Sequence, residues 1–127
     1  MNNLLLMGSA LYSYINTQGT ITTYYQKAPQ SAQPPFVIVS FVSATDDYTF
    51  DSNGMNADYF IKVVGSKVFP ESTISLYGAI HELIQDAPIT MTGNNLLRIR
   101  RESIMQYQDS EDFWNVGGLY NLDTWKT

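Results

Sequence analysis

Two stretches of the chain repeat apolar residues at the spacing of one helix face. The first predicts a helix over residues 3–16, which an N-terminal asparagine can cap and Gly19 can end. The second predicts a helix that begins with Pro70 and Glu71, residue types that suit a first turn, and ends near Asp86. The apolar positions on the two predicted faces are Leu4, Met7, Leu11, Tyr14 and Ile15, and Ile74, Tyr77, Ile80, Leu83 and Ile84.

Six further segments are rich in β-branched and aromatic residues, a composition typical of strands. The Asn53-Gly54 dipeptide is the strongest hairpin-turn signal in the chain, and the alternating aromatic residues ahead of it predict a long hairpin arm. Gly117-Gly118 predicts a weak point or bulge in the last strand. The six predicted strands cover residues 20–26, 36–44, 58–65, 89–92, 96–107 and 113–125.

The order of these elements predicts a single α+β domain over residues 1–127. Strands that follow each other through hairpin-like connections favour a mostly antiparallel or mixed sheet, and we expect the two helices to pack on one of its faces. Pro29, Pro34 and Pro35 precede the second strand, and proline cannot donate a ladder hydrogen bond. This strand is therefore expected to begin pairing at Phe36.

The composition narrows the possible functions. The chain has 127 residues, of which 44% are hydrophobic and 15% charged, and such a chain folds as a globular domain. It has no cysteine, which excludes disulfides, cysteine zinc sites and thiol nucleophiles. The net charge is -5, whereas affinity for duplex DNA comes from basic patches that displace counterions. We therefore expect no sequence-independent DNA binding and, since no apolar run reaches about 20 residues, no membrane span.

No motif for catalysis, a metal or a cofactor stands out. His81 is the single histidine, and Gln85 occupies the position where a second zinc-binding histidine would be needed. The chain has no Gly-x-Ser-x-Gly elbow and no phosphate-binding loop. We expect a structural or surface role for His81, no enzyme activity and no cofactor.

Three groups of residues are candidates for an interface between subunits. An acidic stretch in the hairpin lacks the ligand spacing and closing glutamate of a calcium loop, so a solvated hairpin tip is favoured. A strand with three arginines either faces solvent or forms salt bridges with the acidic hairpin of a neighbouring subunit. Aromatic residues near the C-terminus suit a core or an interface. The candidates are Asp46, Asp47, Tyr48, Phe50 and Asp51, then Arg98, Arg100 and Arg101, and finally Trp114.

The sequence resembles the tail terminator and tail completion proteins of long-tailed bacteriophages, which join the tail to the head. The resemblance runs from Leu5 to Tyr120 and rests on the order of the elements more than on any one residue. The matching segments are Ala10-Leu11-Tyr12, Ala28-Pro29-Gln30, Pro34 to Val39, Ala79-Ile80-His81 and Arg100-Arg101.

The resemblance implies a structural virion protein that assembles with copies of itself into a ring, commonly a hexamer, at the head-proximal end of the tail tube. The ring would end tube polymerisation, bind the tail-tube protein and offer a docking surface to the head-tail connector protein. DNA would pass through its lumen without specific binding, and we expect Asp46, Asp47 and Asp51 to line that lumen. The protein would be assembled in the host cytoplasm and reside in the virion tail, without contact to a membrane.

Two other classes of protein stay open from the sequence. A head-tail connector or a tail-tube subunit of the same particle would share the fold and the partners, and a tube subunit would form long polymers by itself. A small ligand-binding or hydrolase domain would need a convergent polar pocket, such as one that holds His81 beside a buried carboxylate.

Overall fold

The computed structural model describes residues 3–19, 21–29, 31–49, 52–68, 70–85, 90–91 and 95–126. Its elements are α1 (Asn3–Gln18), β1 (Thr23–Tyr25), β2 (Phe36–Thr49), β3 (Ser52–Val64), α2 (Glu71–Gln85), β4 (Thr90–Met91), β5 (Asn95–Gln108) and β6 (Trp114–Lys126). Every predicted helix and strand is present, and the two hairpin strands, β2 and β3, are longer than predicted. Within these described ranges, no helix combines the length and the apolar character needed to cross a membrane.

The six strands form one sheet in the order β1-β2-β3-β6-β5-β4. β1 runs parallel to β2, whereas every other neighbouring pair is antiparallel. The predicted α+β class with a mixed sheet is therefore confirmed. The two outer strands are only three and two residues long, so each covers a small part of the long strand beside it.

Buried residues of both helices and of one face of the central strands belong to a single hydrophobic cluster. The register sets Val39 opposite Ile61 and Tyr59 opposite Tyr120, so these residues share a face because strand side chains alternate. Full burial of one such apolar side chain stabilises the fold by about 1.5–3 kcal/mol. The buried members are Leu11, Ile15, Val37, Val39, Ala57, Tyr59, Ile61, Val63, Tyr77, Ile80, Ile84, Val116, Tyr120 and Leu122.

The β2–β3 hairpin forms the predicted long arm, but its turn is not where the sequence predicted it. Asn53 pairs with Tyr48 and Gly54 with Asp47, so the Asn53-Gly54 dipeptide lies within β3. The last pair before the turn is Thr49 with Ser52. A slip of one residue would turn the core side chains to the wrong face, so pairs such as Val39 with Ile61 keep Asn53 and Gly54 within β3.

The prediction of a bulge at Gly117-Gly118 is also wrong. β6 pairs without interruption through both glycines, and the register shifts lie between Phe41 and Ser43 and between Arg101 and Ser103. The glycines are explained by close approach instead. A Cβ on Gly117 would lie 2.5 Å from the Ile61 carbonyl oxygen, a distance that a side chain cannot accept.

The proline segment ends where the sequence predicted. β2 begins at Phe36, directly after Pro34 and Pro35. The Phe36 ring packs edge-on against Tyr24 of β1, with ring centroids 5.5 Å apart. The start of β2 is thereby held beside β1, whose parallel pairing covers Val37 to Val39.

Candidate subunit interface

The outer edge of β5 is long and carries exposed apolar side chains. β4 pairs only with Asn95 and Leu96, so residues 97–108 have no strand on that side within the described part of the chain. Every side chain from Glu102 to Gln108 is exposed. Ile104, Met105 and Tyr107 are 58%, 41% and 40% exposed. Natural edge strands usually carry charges or prolines that discourage pairing, so an apolar edge indicates an interaction surface.

The edge of β2 is free in the same way on the other side of the sheet. β1 covers Val37 to Val39, and the side-chain oxygen Oε1 of Gln26 then accepts the Phe41 N–H at 3.1 Å. From Val42 to Thr49, β2 has no further strand beside it among the described residues. Val42 is 52% exposed and lies at the register shift of this strand. We call residues 42–49 the β2 edge and residues 97–108 the β5 edge.

The predicted acidic and basic residues lie on these two separate edges. Asp46, Asp47 and Tyr48 are in β2, whereas Arg98, Arg100 and Arg101 are in β5. β3 and β6 lie between the two strands, which puts them roughly 14 Å apart at the usual strand spacing. The structure therefore does not bring the acidic and basic groups together within one chain. Phe50 and Asp51 lie outside the described residues.

Arg100 and Arg101 differ in their surroundings. Arg100 is exposed, and Arg101 is half-buried, with Nη1 donating to the Tyr77 hydroxyl at 3.5 Å. Neither forms an ion pair with an acidic residue within the described ranges. Trp114, the remaining candidate, is half-buried at the start of β6, and its indole N–H is buried without a partner in the described part of the structure.

A buried polar cluster lies next to Arg101, between α2 and the sheet. The Tyr77 and Tyr120 hydroxyls are 2.6 Å apart, and Nδ1 of His81 is 2.9 Å from the Tyr120 hydroxyl. Burial and the bond to Tyr77 raise the pKa of Tyr120 far above its ordinary value. Burial, followed by the Arg101 charge, lowers the pKa of His81. The histidine is therefore neutral at pH 7 and serves as a hydrogen-bond partner of Tyr120.

A cavity of about 330 Å³ opens beside this cluster, but its lining does not fit a hydrolase site. Among the described residues, its lining contains no carboxylate and no serine. Likewise, no group of three metal-binding side chains occurs in the described ranges. The lining residues are His81, Gln85, Ile99, Arg100, Arg101 and Tyr120.

A larger cavity of about 610 Å³ lies between the proline segment and the loop before β6. Asp109 orders that loop. Its Oδ1 accepts the backbone N–H groups of Glu111 and Phe113 at 2.9 and 3.0 Å, and its Oδ2 accepts the Asn115 amide at 2.9 Å. These bonds satisfy the Asp109 carboxylate within the loop, so this side chain serves to hold the loop.

Sequence reasoning missed Val42, Ile104 and Met105 as surface-forming residues. The signal that could have found two of them is the adjacent pair Ile104-Met105, because two consecutive apolar residues on a half-buried strand place one on the polar face. Val42 follows Phe41 in the same way. Their common position on free edges depends on strand order, which the sequence pattern does not give.

A family model described as tail completion protein gp17 matches residues 5–121 of the chain. A solved chain titled "Virion of native gene transfer agent (GTA) particle" has a TM-score of 0.66 at 15% identity, with 94% of both chains covered. A second solved chain, whose title states no function, has a TM-score of 0.62 at 12% identity and covers 96% of this chain and 95% of its own. No curated protein sequence matches.

At these identities the solved structures show a shared fold and nothing more. The family model is more informative, because its match spans nearly the whole chain, including α2 and most of the sheet. The resemblance stated from the sequence is confirmed. The chain therefore belongs to the tail completion protein gp17 family and is a structural protein of a phage virion tail.

Proposed function

We propose that the protein forms a closed ring of identical subunits, a hexamer, at the head-proximal end of the tail tube. The ring ends tube polymerisation and docks the head-tail connector. The observation that carries the proposal is that, within the described residues, two strand edges at opposite ends of one sheet have no further strand beside them, in a member of the tail completion family. Two different surfaces on one subunit suit head-to-tail association. Such association forms a ring when the rotation that relates one subunit to the next returns to the first subunit.

The hairpin arm supports the capping part of the proposal. Pairing between β3 and β6 ends at Asn56 with Asp123, whereas pairing between β2 and β3 continues to Thr49 with Ser52. The arm therefore extends as a two-stranded ribbon beyond its pairing with β6. Such a ribbon can contact the last ring of the tube while the opposite face of the subunit meets the connector, so that growth stops.

The net charge of -5 supports a lumen through which DNA slides without binding. We assign the acidic residues of the hairpin, Asp46, Asp47 and Asp51, to that lumen. Reversal of Asp47 and Asp51 to lysine should slow or block DNA passage from loaded heads through joined tails. Normal DNA delivery by such variants would refute the lumen assignment and leave the ring intact as a proposal.

Native mass spectrometry combined with negative-stain electron microscopy tests the ring. The protein is measured alone and with the tail-tube protein of the same particle, because a terminator can stay monomeric until it meets the tube. We expect a closed ring of fixed subunit number, and tubes that stop growing when the protein is added.

The same experiment separates the alternatives. Long polymers of the protein alone would identify a tube subunit. A ring that binds empty heads but leaves tube growth unchanged would identify a connector. A monomer that binds neither the tubes nor the heads would overturn the proposal.

A further inference from the structure

We propose that the cavity next to His81 and Arg101 binds a carboxylate group carried by another molecule, with Arg101 as the residue that holds it. The cavity has a volume of about 330 Å³, at the lower end of the range for small-ligand sites. Every polar side chain in its described lining can donate a hydrogen bond, and none of them is a carboxylate. The proposed ring does not use this site, so the inference is independent of it.

Arg101 reaches the cavity from β5, on the face of the sheet that α2 covers. It lies opposite Tyr120, whose buried side chain belongs to the hydrophobic cluster. Arg100 also borders the cavity, but it lies opposite Asn121, and its side chain points to the other face because strand side chains alternate. Among the described residues, Arg101 is therefore the cation of this cavity.

The charge of Arg101 has no acidic partner within the described ranges. Its Nη1 donates to the Tyr77 hydroxyl at 3.5 Å, which is a long bond to an uncharged group. A guanidinium presents its N–H groups in a planar fork that fits both oxygens of a carboxylate. A charge that is partly removed from water is stabilised by a partner of opposite sign, so this residue favours an anionic ligand.

The hydrogen bonds behind Arg101 prepare a second donor. An arginine can only donate, so the Tyr77 oxygen accepts from it, and the Tyr77 O–H donates to Tyr120. The Tyr120 O–H then donates to Nδ1 of His81, which gives each O–H an acceptor. Burial and the Arg101 charge lower the pKa of His81, so its ring is neutral and carries its proton on Nε2. Since His81 lines the cavity, this N–H is the donor that the ring offers to a bound oxygen.

The charge and the walls of the cavity favour a carboxylate over a phosphate. With His81 neutral, the described lining supplies a single positive charge from Arg101, whereas a phosphate carries more than one negative charge. α2 ends at Gln85, and the negative end of a helix dipole further disfavours a second negative charge. Ile99 and the Tyr120 ring add apolar wall, so a short alkyl chain fits behind the carboxylate. A glutamate side chain has this form.

Nuclear magnetic resonance of the single histidine tests the site. Butyrate, which reproduces the end of a glutamate side chain, is added at constant ionic strength while the imidazole signals are followed. We expect a saturable shift, no shift with the uncharged butyramide, and a long-range ¹H–¹⁵N spectrum in which Nε2 is protonated. Inorganic phosphate that bound more tightly than butyrate would overturn the assignment to a carboxylate.

Substitution of Arg101 tests its role. Arg101→Gln should raise the dissociation constant of butyrate by about tenfold or more, because it removes charge-assisted hydrogen bonds. Lys67→Gln is the matched control, since it removes the same charge from an exposed side chain outside the cavity and should leave the affinity unchanged. Arg101→Lys keeps the charge without the planar fork and should give an intermediate affinity, and it replaces Arg101→Gln if circular dichroism shows that variant unfolded. Equal affinity of the wild type and a folded Arg101 variant would overturn the proposal.

Two further measurements identify the source of the carboxylate. Asp86 follows Gln85 in the sequence and lies outside the described residues, so Asp86→Asn tests a carboxylate of the same chain. Butyrate that bound only to this variant would show that the chain fills its own cavity, and would overturn the proposal. A blocked Gly-Glu-Gly tripeptide that binds like butyrate would indicate a glutamate of a partner protein, whereas binding of butyrate alone would indicate a free small acid.

Discussion

The phenolic oxygens of Tyr77 and Tyr120 lie 2.6 Å apart, and this hydrogen bond joins the middle of α2 to β6. Both side chains are almost fully buried, with 4% and 1% of their surface exposed. His81, one turn further along α2, places Nδ1 2.9 Å from the Tyr120 hydroxyl. Apolar contacts allow a helix to slide over a sheet, whereas these directional bonds fix the position of α2 beside β5, the strand that carries the proposed interface.

Replacement of Tyr120 by phenylalanine should destabilise the fold. It leaves the Tyr77 hydroxyl and His81 Nδ1 without their shared partner, which costs about 1–3 kcal/mol of unfolding free energy for a buried group. Urea denaturation measures the loss. Tyr107→Phe is the matched control, because Tyr107 is 40% exposed and its hydroxyl bonds only to Lys62 among the described residues.

The double variant Tyr77→Phe/Tyr120→Phe tests whether the two tyrosines act through their mutual bond. It should cost less than the two single variants added together, because the second replacement removes a hydroxyl that has already lost the bond between the two tyrosines. Strict additivity of the two losses would contradict a direct bond.

Replacement of Gly118 by alanine should also weaken the fold. A Cβ at this position would contact the Tyr77 hydroxyl and would lie 2.7 Å from the Ser103 carbonyl oxygen. We expect a loss of about 1–3 kcal/mol, the usual cost of overpacking, measured by thermal or urea unfolding. Gly78→Ala is the control, because nothing lies within 4 Å of its Cβ position in α2. That change should instead stabilise the helix by roughly 0.5–1 kcal/mol. Equal changes in unfolding free energy for the two variants would show that the site of Gly118 has room for a Cβ atom.

The local sequence pattern was sufficient to predict a helix, strand or strand end wherever that pattern agrees with the packing of the core. Prolines ahead of Phe36 fixed the start of β2, because proline cannot pair and the apolar run after it can. The Asn53-Gly54 turn shows the opposite case. Its local preference for a turn is overridden by the burial of Val39, Ile61 and their neighbours, since core register costs more to change than a turn type.

The candidate interface was predictable only in part. Charges on β2 and β5 are visible in the sequence, and salt bridges between subunits were one of the two roles predicted for the arginines. Whether a strand lies at an edge depends on which strands pair, and these pairings join segments far apart in the sequence. The backbone edges at Val42 and Ile104 lack a neighbouring described strand because β1 and β4 are short, and the sequence pattern does not predict these strand lengths.

The titration of His81 makes stability depend on pH. Because burial and Arg101 lower its folded pKa below the ordinary value of about 6.5, the fold favours the neutral imidazole. The contribution of His81 to stability is therefore fully present above that value. It falls as the pH drops below it, because the unfolded chain binds the proton more readily. Glu82 opposes the shift with its negative charge. Urea denaturation between pH 7.5 and about 5.5 measures the slope. His81→Gln should flatten it, and an unchanged slope in that variant would assign the effect to other groups.

Replacement of Asp109 by asparagine should loosen the loop before β6. Burial acts to raise the pKa of Asp109, but the hydrogen bonds from Asn115, Phe113 and Glu111 outweigh it and hold the pKa below its ordinary value. The variant loses the carboxylate and sets an amide against the Asn115 amide, so we expect a loss of roughly 1–3 kcal/mol at pH 7.

The difference between the wild type and Asp109→Asn should shrink as the pH falls below about 4. A lowered carboxyl pKa gives stability that is present above the unfolded value of about 3.9 and is lost as the pH falls through the folded one. Urea midpoints at pH 7 and near pH 3 measure this change. Glu111→Gln is the matched control, because it makes the same acid-to-amide change at an exposed side chain of the same loop and should shift stability by no more than about 0.5 kcal/mol. If Glu111→Gln cost as much as Asp109→Asn, loop charge rather than the three bonds of Asp109 would be responsible.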